Sequence, residues 1–382
     1  MTTISSPQVS AVIARVVQEA SAEKPADSLL RTQLKTAKLS REQSREVSKA
    51  VFAYYRWFGW LDKARSITSS VRHALELDLE FREHPGSFTE ATLEERALPT
   101  WVHGMMEIKP GWARSLQSQP RLWIRSRRGR RAELAAELGE CVEAEKLLPG
   151  VVASEALCYE GSEDLFRTAT FHSGQFELQD LSSQLVGLVC DPKAGQTWWD
   201  TCAGEGGKTL HLSELMDNKG LIWASDRAAW RLDLLKKRAG RSKCFNYRAA
   251  IWDGGERLPT KTRFDGVLVD APCSGIGTWQ RNPHARWTLT SKDIEELAEV
   301  QFRLLEHACS SVKPGGCLIY SVCTLSRLEC GGVVDRFRGA HPEFELWPFE
   351  LGVGGEPLGE LTLTAPTIPA NGMFIARWRR SV

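Results

Sequence analysis

From about residue 180 onward, short apolar runs alternate with amphipathic stretches at helical spacing. The runs are TWWD, GLIWASD, FDGVLVD, GCLIYSV and MFIARWRR; RAAWRLDLLKKRAG and SKDIEELAEVQFRLLEHACSSV are among the stretches between them. This alternation predicts an α/β domain built on a mostly parallel, doubly wound sheet over residues 176–382. In such sheets ligands bind beyond the carboxyl ends of the strands. Every side chain singled out below as chemical lies at such an end.

The preceding residues follow a different pattern. Residues 1–92 read as helical, with one apolar stripe at Val9, Val12, Ile13 and Val16 and another at Val47, Val51, Tyr54, Tyr55, Phe58 and Leu61. Pro85, Gly86 and Pro99 mark a boundary after this unit. Residues 93–175 are mixed. LWIRSRRG reads as a strand entering a turn, RAELAAELGECV as a short helix and GVVASEALCYEG as strand, which predicts a small α/β module.

With 382 residues the chain is long enough for two domains and a small third. Its start has no basic region followed by an apolar one, and no apolar run approaches the roughly 18 residues of a membrane span. Neither a signal peptide nor a membrane partner is expected. The ten cysteines form no CxxC pair, so a reducing cytoplasm without a zinc or other metal site is the simplest expectation; separately, a monomer is expected. A net charge of +1 gives no overall field for nucleic acid. RNA would need a local patch, and Arg121, Arg125, Arg127, Arg128, Arg130 and Arg131, interleaved with Trp123, form the candidate.

The segment Asp200-Thr201-Cys202-Ala203-Gly204-Glu205-Gly206-Gly207-Lys208-Thr209 places glycines between a strand and a helix. Glycines there let a ligand approach the backbone and the helix N-terminal amides. A phosphate-binding loop ending in Gly207-Lys208-Thr209 needs a glycine where Cys202 stands, so that pattern fails. A dinucleotide fingerprint lacks its third glycine. Asp226 ends the next strand, where a carboxylate accepts ribose hydroxyls; its alternative role is to cap the helix that follows.

Two further loops carry cysteines. Asp270-Ala271-Pro272-Cys273 follows FDGVLVD, and Cys323 follows GCLIYSV. If the strands are neighbours, both thiols face one crevice. Methyl transfer to carbon 5 of a pyrimidine needs such a pair. That carbon is a poor nucleophile until a thiolate adds to carbon 6 and makes the ring an enamine. The attacking species is the thiolate, and Lys208 is a candidate for lowering the thiol's pKa. Asp270 is placed to hydrogen-bond ring nitrogen 3, and the second cysteine assists proton removal and release.

At these residues the chain resembles the RNA 5-methylcytosine methyltransferase family, the RsmB/Sun-like enzymes. The matched segments are DTCAGEGGKT, SDRAAWRLDLL, DAPCSGIGTWQRNP and KPGGCLIYSVCTL, with FHSGQFELQDLSSQL as a lead-in. The resemblance implies a Rossmann-like methyltransferase domain, S-adenosyl-L-methionine as cofactor, Cys323 as nucleophile and Cys273 as the residue for product release. It maps the cofactor contacts onto Cys202, Ala203, Gly204, Glu205, Gly206, Gly207, Lys208, Asp226, Arg231, Asp253 and Asp270. Asp253 would lie near the adenine, although an aspartate before Gly254-Gly255 also reads as a turn residue. SREVSKAVFAYYRWFGWLDK is similar to the NusB-like RNA-binding domain, and residues 93–175 then become an RNA-recognition-like module. Ribosomal RNA is the first substrate implied and transfer RNA the second. The chain departs from the family pattern at Glu205, where proline is common, at Val322, where threonine is, and at His284, where aspartate is.

Three other readings remain open. A DNA cytosine methyltransferase would use Pro272-Cys273 for attack, but a Glu-Asn-Val motif of the kind those enzymes carry is missing. A non-catalytic RNA-binding assembly factor gives no reason for the intact cysteines and Asp270. A nicotinamide dehydrogenase lacks both the full fingerprint and a role for the thiols.

Overall fold

Four helix starts in the first part of the chain are written in hydroxyl side chains. Ser6, Ser66 and Thr89 each accept a backbone N–H from the first turn of the helices Pro7–Glu19, Ile67–Glu83 and Glu90–Ala97. Ser40 and Gln43 form a reciprocal capping box at the start of Arg41–Arg56. The stripe Val9, Val12, Ile13 and Val16 is buried, as are Val47, Val51 and Tyr55 of the second stripe. The computed structural model describes residues 4–62, 64–353 and 359–382.

The chain divides into two units, one of residues up to Pro120 with Gly275–Asp293, the other of Arg121–Ser274 with Ile294–Val382. Residues 93–120, with the short helices Val102–Met105 and Trp112–Ser115, fall in the first of these units. That unit also takes in a distant segment. Trp279 is fully buried there, 6.0 Å from the ring centroids of both Trp101 and Trp112. Arg286, also without exposed surface, donates to the carbonyl of Ala97 at 2.9 Å, and Trp287 Nε1 to that of Tyr55 at 2.7 Å. His284, the departure noted above, is a packing residue: its ring lies edge-on to Tyr55 at 4.6 Å. A buried ion pair, Arg56 Nη1 to Asp78 Oδ1 at 2.9 Å, completes this core.

The second unit carries two sheets. The smaller has β1 (Leu122–Ser126), β2 (Cys141–Glu143), β3 (Ala156–Tyr159) and β4 (Phe176–Leu178) in the antiparallel order β2-β3-β1-β4. The larger has β5 (Thr197–Asp200), β6 (Leu221–Asp226), β7 (Tyr247–Ile251), β8 (Phe264–Asp270), β9 (Val312–Val322), β10 (Phe344–Leu346), β11 (Glu360–Leu363) and β12 (Met373–Arg380). Their order is β10-β12-β9-β8-β5-β6-β7, with β11 beside β12. Strands β7, β6, β5, β8 and β9 are parallel; β12 runs antiparallel to β9. This is the mostly parallel α/β sheet the alternation predicts. Chain order reverses between β5 and β8, which is where such sheets open a ligand crevice.

The arginine run does not form the open RNA face expected of it. Trp123 is buried and donates Nε1 to the carbonyl of Pro369 at 2.8 Å. Arg125 is buried, donates Nε to Gln179 at 2.8 Å and pairs with Glu214. Arg127 Nε donates to the carbonyl of Gly174 at 2.7 Å. Arg121, Arg128 and Arg131 pair with Glu160, Asp217 and Glu145 at 2.9, 3.1 and 2.7 Å, and Arg130 with Glu133. The run joins the small sheet to its neighbours, and carboxylates neutralise most of its charge. Among the described residues no helix is long and apolar enough to cross a membrane.

Candidate active site

The crevice at the reversal is built from the carboxyl ends of β5, β6, β8 and β9. Beyond β5 the chain is strapped down on both sides: Thr201 N donates to Leu268 O at 2.9 Å and Ala203 N to Ser225 O at 2.8 Å. It then turns through Gly204 (φ 53°) and Gly206 (φ 88°) into the helix Gly207–Leu215. Gly206 is required twice. Its left-handed backbone disfavours a side chain, and a Cβ would sit 2.7 Å from Leu235 Cγ. A Cβ on Gly204 or Gly207 would meet no atom within 4 Å, so those faces of the loop are open. Glu205 is exposed, and its carbonyl accepts from Arg238 Nη1 at 3.2 Å.

Asp200, at the end of β5, has no exposed surface. Its Oδ2 accepts from Thr209 Oγ1 at 2.7 Å, while Oδ1 has no hydrogen-bond partner among the described residues. Burial above all pushes its carboxyl up to about 7, with neighbouring Asp270 adding to the effect. Asp226, at the end of β6, takes the amides of Gly204 at 3.0 Å and Ala228 at 2.8 Å, and Arg231 stands 3.8 Å away. Asp226 thus fixes both the loop and the turn into the helix Ala229–Arg241. Asp253 is exposed and its Oδ1 accepts from Gly255 N at 2.9 Å, so the turn role read for it is present.

Beyond β8 and β9 the two sequence-predicted thiols come together. Cys273 Sγ and Cys323 Sγ are 3.4 Å apart, both half-buried. Beside them Lys208 Nζ meets Asp270 Oδ2 at 2.7 Å, and Ser321 Oγ donates to Asp270 Oδ1 at 2.7 Å. Burial opposes the charge of Lys208, but Asp270, with help from Cys323 and Asp200, more than offsets it and leaves the ammonium above its usual value. Lys208 is therefore first a partner of Asp270. Other cysteines are chemically quiet: burial pushes Cys202, Cys309 and Cys317 up to about 12, and Cys190 and Cys330 well above the ordinary thiol range. Cys202 therefore serves the loop as a packed side chain. Among the described residues no cluster of three His, Cys, Asp or Glu is arranged for a metal ion.

The site also contains side chains that motif reading passed over. Asp200 and Ser321 were legible only as motif letters, yet each fixes a neighbour. Glu329 and Gln301 carry no local signal. They lie in the turn after Cys323 and in the helix Ser291–Cys309, and both contact the cysteine loops.

The chain is similar to known RNA methyltransferases. The family described as 16S rRNA methyltransferase RsmB/F matches residues 187–379. The probable ribosomal RNA small subunit methyltransferase B of Bacillus subtilis (strain 168) is 38% identical over 216 residues, 56% of this chain and 45% of that protein. The tRNA (cytosine(72)-C(5))-methyltransferase NSUN6 of Mus musculus is 34% identical over 200 residues, 49% of this chain and 41% of that one. The crystal structure of PH0851 superposes with a TM-score of 0.79 at 25% identity, covering 98% of both chains. The chain spans about half the length of the curated relatives it matches first.

Proposed function

The chain belongs to the family of 16S rRNA methyltransferases RsmB/F, and on that premise we propose that it transfers a methyl group from S-adenosyl-L-methionine to carbon 5 of a cytosine in RNA. Ribosomal RNA is the first candidate substrate and transfer RNA the second. The observation that carries the reading is the pair of thiols 3.4 Å apart beside Asp270, at the ends of two adjacent parallel strands.

The crevice fits the cofactor's chemistry. The unpartnered, buried Oδ1 of Asp200 suits an ammonium, the open glycine faces admit a ligand against the backbone, and Asp226 with Arg231 suits a ribose. Bound there, S-adenosyl-L-methionine supplies an electrophilic methyl group on a sulfonium. The remaining work belongs to this chain's residues. Cys323 Sγ, as thiolate, forms a bond to carbon 6, and the displaced electron pair makes carbon 5 nucleophilic. As charge builds at ring nitrogen 3, the proton that Lys208 Nζ shares with Asp270 Oδ2 passes to that carboxylate, which donates it in a hydrogen bond to the nitrogen. After carbon 5 gains its methyl group, Cys273 receives or directs the departing carbon 5 proton. The electron pair left behind expels Cys323 as thiolate. The cytosine must leave its stack to reach the sulfur. The helical unit, read as NusB-like, is the proposed RNA-holding part.

The test is a pair of variants with 16S rRNA transcript and labelled cofactor. Cys323→Ala abolishes methylation and forms no adduct; Cys273→Ala traps a denaturant-stable protein–RNA complex. Exchanged phenotypes would make Cys273 the nucleophile and overturn the assignment.

A further inference from the structure

We infer that Glu329 is a positioning residue that holds the Cys273 loop in register with Cys323, so that release of the methylated base depends on it more than attack does. The inference rests on the roles proposed above for the two thiols.

Glu329 lies just before the helix Gly331–Ala340 and is fully buried. Its carboxylate accepts from four neutral donors. Oε1 takes Ser274 N at 2.8 Å and Gln301 Nε2 at 3.0 Å; Oε2 takes Ser274 Oγ at 2.5 Å and Thr324 Oγ1 at 3.0 Å. Ser274 directly follows Cys273, and Thr324 directly follows Cys323. One carboxylate therefore ties together the residues next to both sulfurs, and the two hydroxyls touch each other at 2.7 Å. Gln301 reaches the other side of Cys273, donating to Pro272 O at 2.9 Å, while its Oε1 accepts from Tyr320 OH at 2.9 Å. Tyr320 OH also donates to the Glu329 carbonyl at 2.6 Å.

Burying a carboxylate is costly unless each lone pair is met, and apolar side chains would fill the space without that cost. What this arrangement supplies is geometry. A cysteine has one side-chain torsion before its sulfur, so backbone placement decides where the sulfur lies. The two loops differ in what else holds them. Cys323 directly follows β9, whose Val322 pairs with Phe374 of β12. Cys273 lies beyond the last ladder pair of β8, Asp270 with Ser321, and the bond from Ala271 N to Ser321 O. From there the bonds at Pro272 and Ser274 fix it. Loss of Glu329 thus displaces Cys273 more than Cys323.

The experiment uses the full chain with S-adenosyl-L-methionine and 16S rRNA transcript, following methyl transfer and denaturant-stable adduct in a single turnover. In Glu329→Ala, adduct accumulates at least ~10-fold above wild type while first-turnover methyl transfer falls less than about threefold, as expected for an ångström-scale misplacement of the release group alone. Glu329→Gln restores release: its oxygen keeps Ser274 N and Gln301, and the two hydroxyls rotate to accept from its amide. A lower melting temperature with unchanged adduct per active molecule marks a merely structural role and overturns the inference. If the alanine variant does not fold, Ser274→Ala, which removes one hydroxyl bridge, must still accumulate adduct, and a wild-type level there overturns it equally. Should Cys273→Ala itself trap nothing, the underlying assignment fails, and that result is distinct from a failure at Glu329.

Discussion

Replacing Asp200 by asparagine should stabilise the protein at neutral and alkaline pH and leave it nearly unchanged in strong acid. Asp200 has no exposed surface, and burial, with Asp270 adding to it and the Thr209 hydroxyl opposing, sets its carboxyl at about 7 against an ordinary 3.8. Between those two values the unfolded chain holds an ionised aspartate while the fold holds a protonated one. Stability contributed by this group is therefore complete below 3.8 and is lost as pH rises to about 7. Above that, both states are ionised and the full cost of a buried charge, roughly 4 kcal/mol, stays in the fold. Asparagine keeps the shape and the acceptor for Thr209 Oγ1 without that cost. Guanidinium denaturation of both proteins at pH 5, 6, 7 and 8 measures the difference directly. It should grow from about 1–2 kcal/mol at pH 5 to roughly 4 kcal/mol at pH 8. An offset that does not change with pH, or an asparagine variant less stable than the parent at pH 8, refutes the reasoning.

Three other outcomes are expected. Gly206→Ala loses about 1–3 kcal/mol of stability, read by denaturation, because its φ is 88° and the new methyl group meets Leu235; cofactor affinity by calorimetry falls with it. Asp78→Asn leaves Arg56 buried and unpaired, and a cost of about 3–5 kcal/mol should appear in the melting of the helical unit. Arg125→Met removes the buried guanidinium that Glu214 Oε2 and Gln179 accept from and destabilises by about 2–3 kcal/mol, with Arg128 N still held by Glu214; the dependence of RNA affinity on salt stays unchanged, since this arginine serves the fold.

How much of this was legible in the sequence follows from the range of the forces involved. Strands β5, β6, β8, β9 and β12 are mostly buried, so burial writes a cluster of apolar residues into each. The edge strand β7 is half exposed, and β4, β10 and β11 span three or four residues, too short for any period to show. Both cysteines were legible because each stands at a strand end beside a turn motif. Glu329 was not, because its partners Ser274, Gln301 and Thr324 come from three separate parts of the chain. Arginines 121 to 131 misled for a related reason. A basic run looks the same on paper whether it faces phosphate or the carboxylates of Glu214, Asp217 and Glu160.

The segment Gly275–Asp293 makes the two units inseparable by any single scission. The backbone quits the sheet-bearing unit just after Ser274, lends Trp279 and Arg286 to the helical one, and comes back at Ile294. A fragment ending at Pro120 would be born with a hole where that tryptophan and arginine belong. Recombination that exchanges the leading helices alone would strand an insert cut to fit its former host. Parting the two units takes three cuts, after Pro120, Ser274 and Asp293.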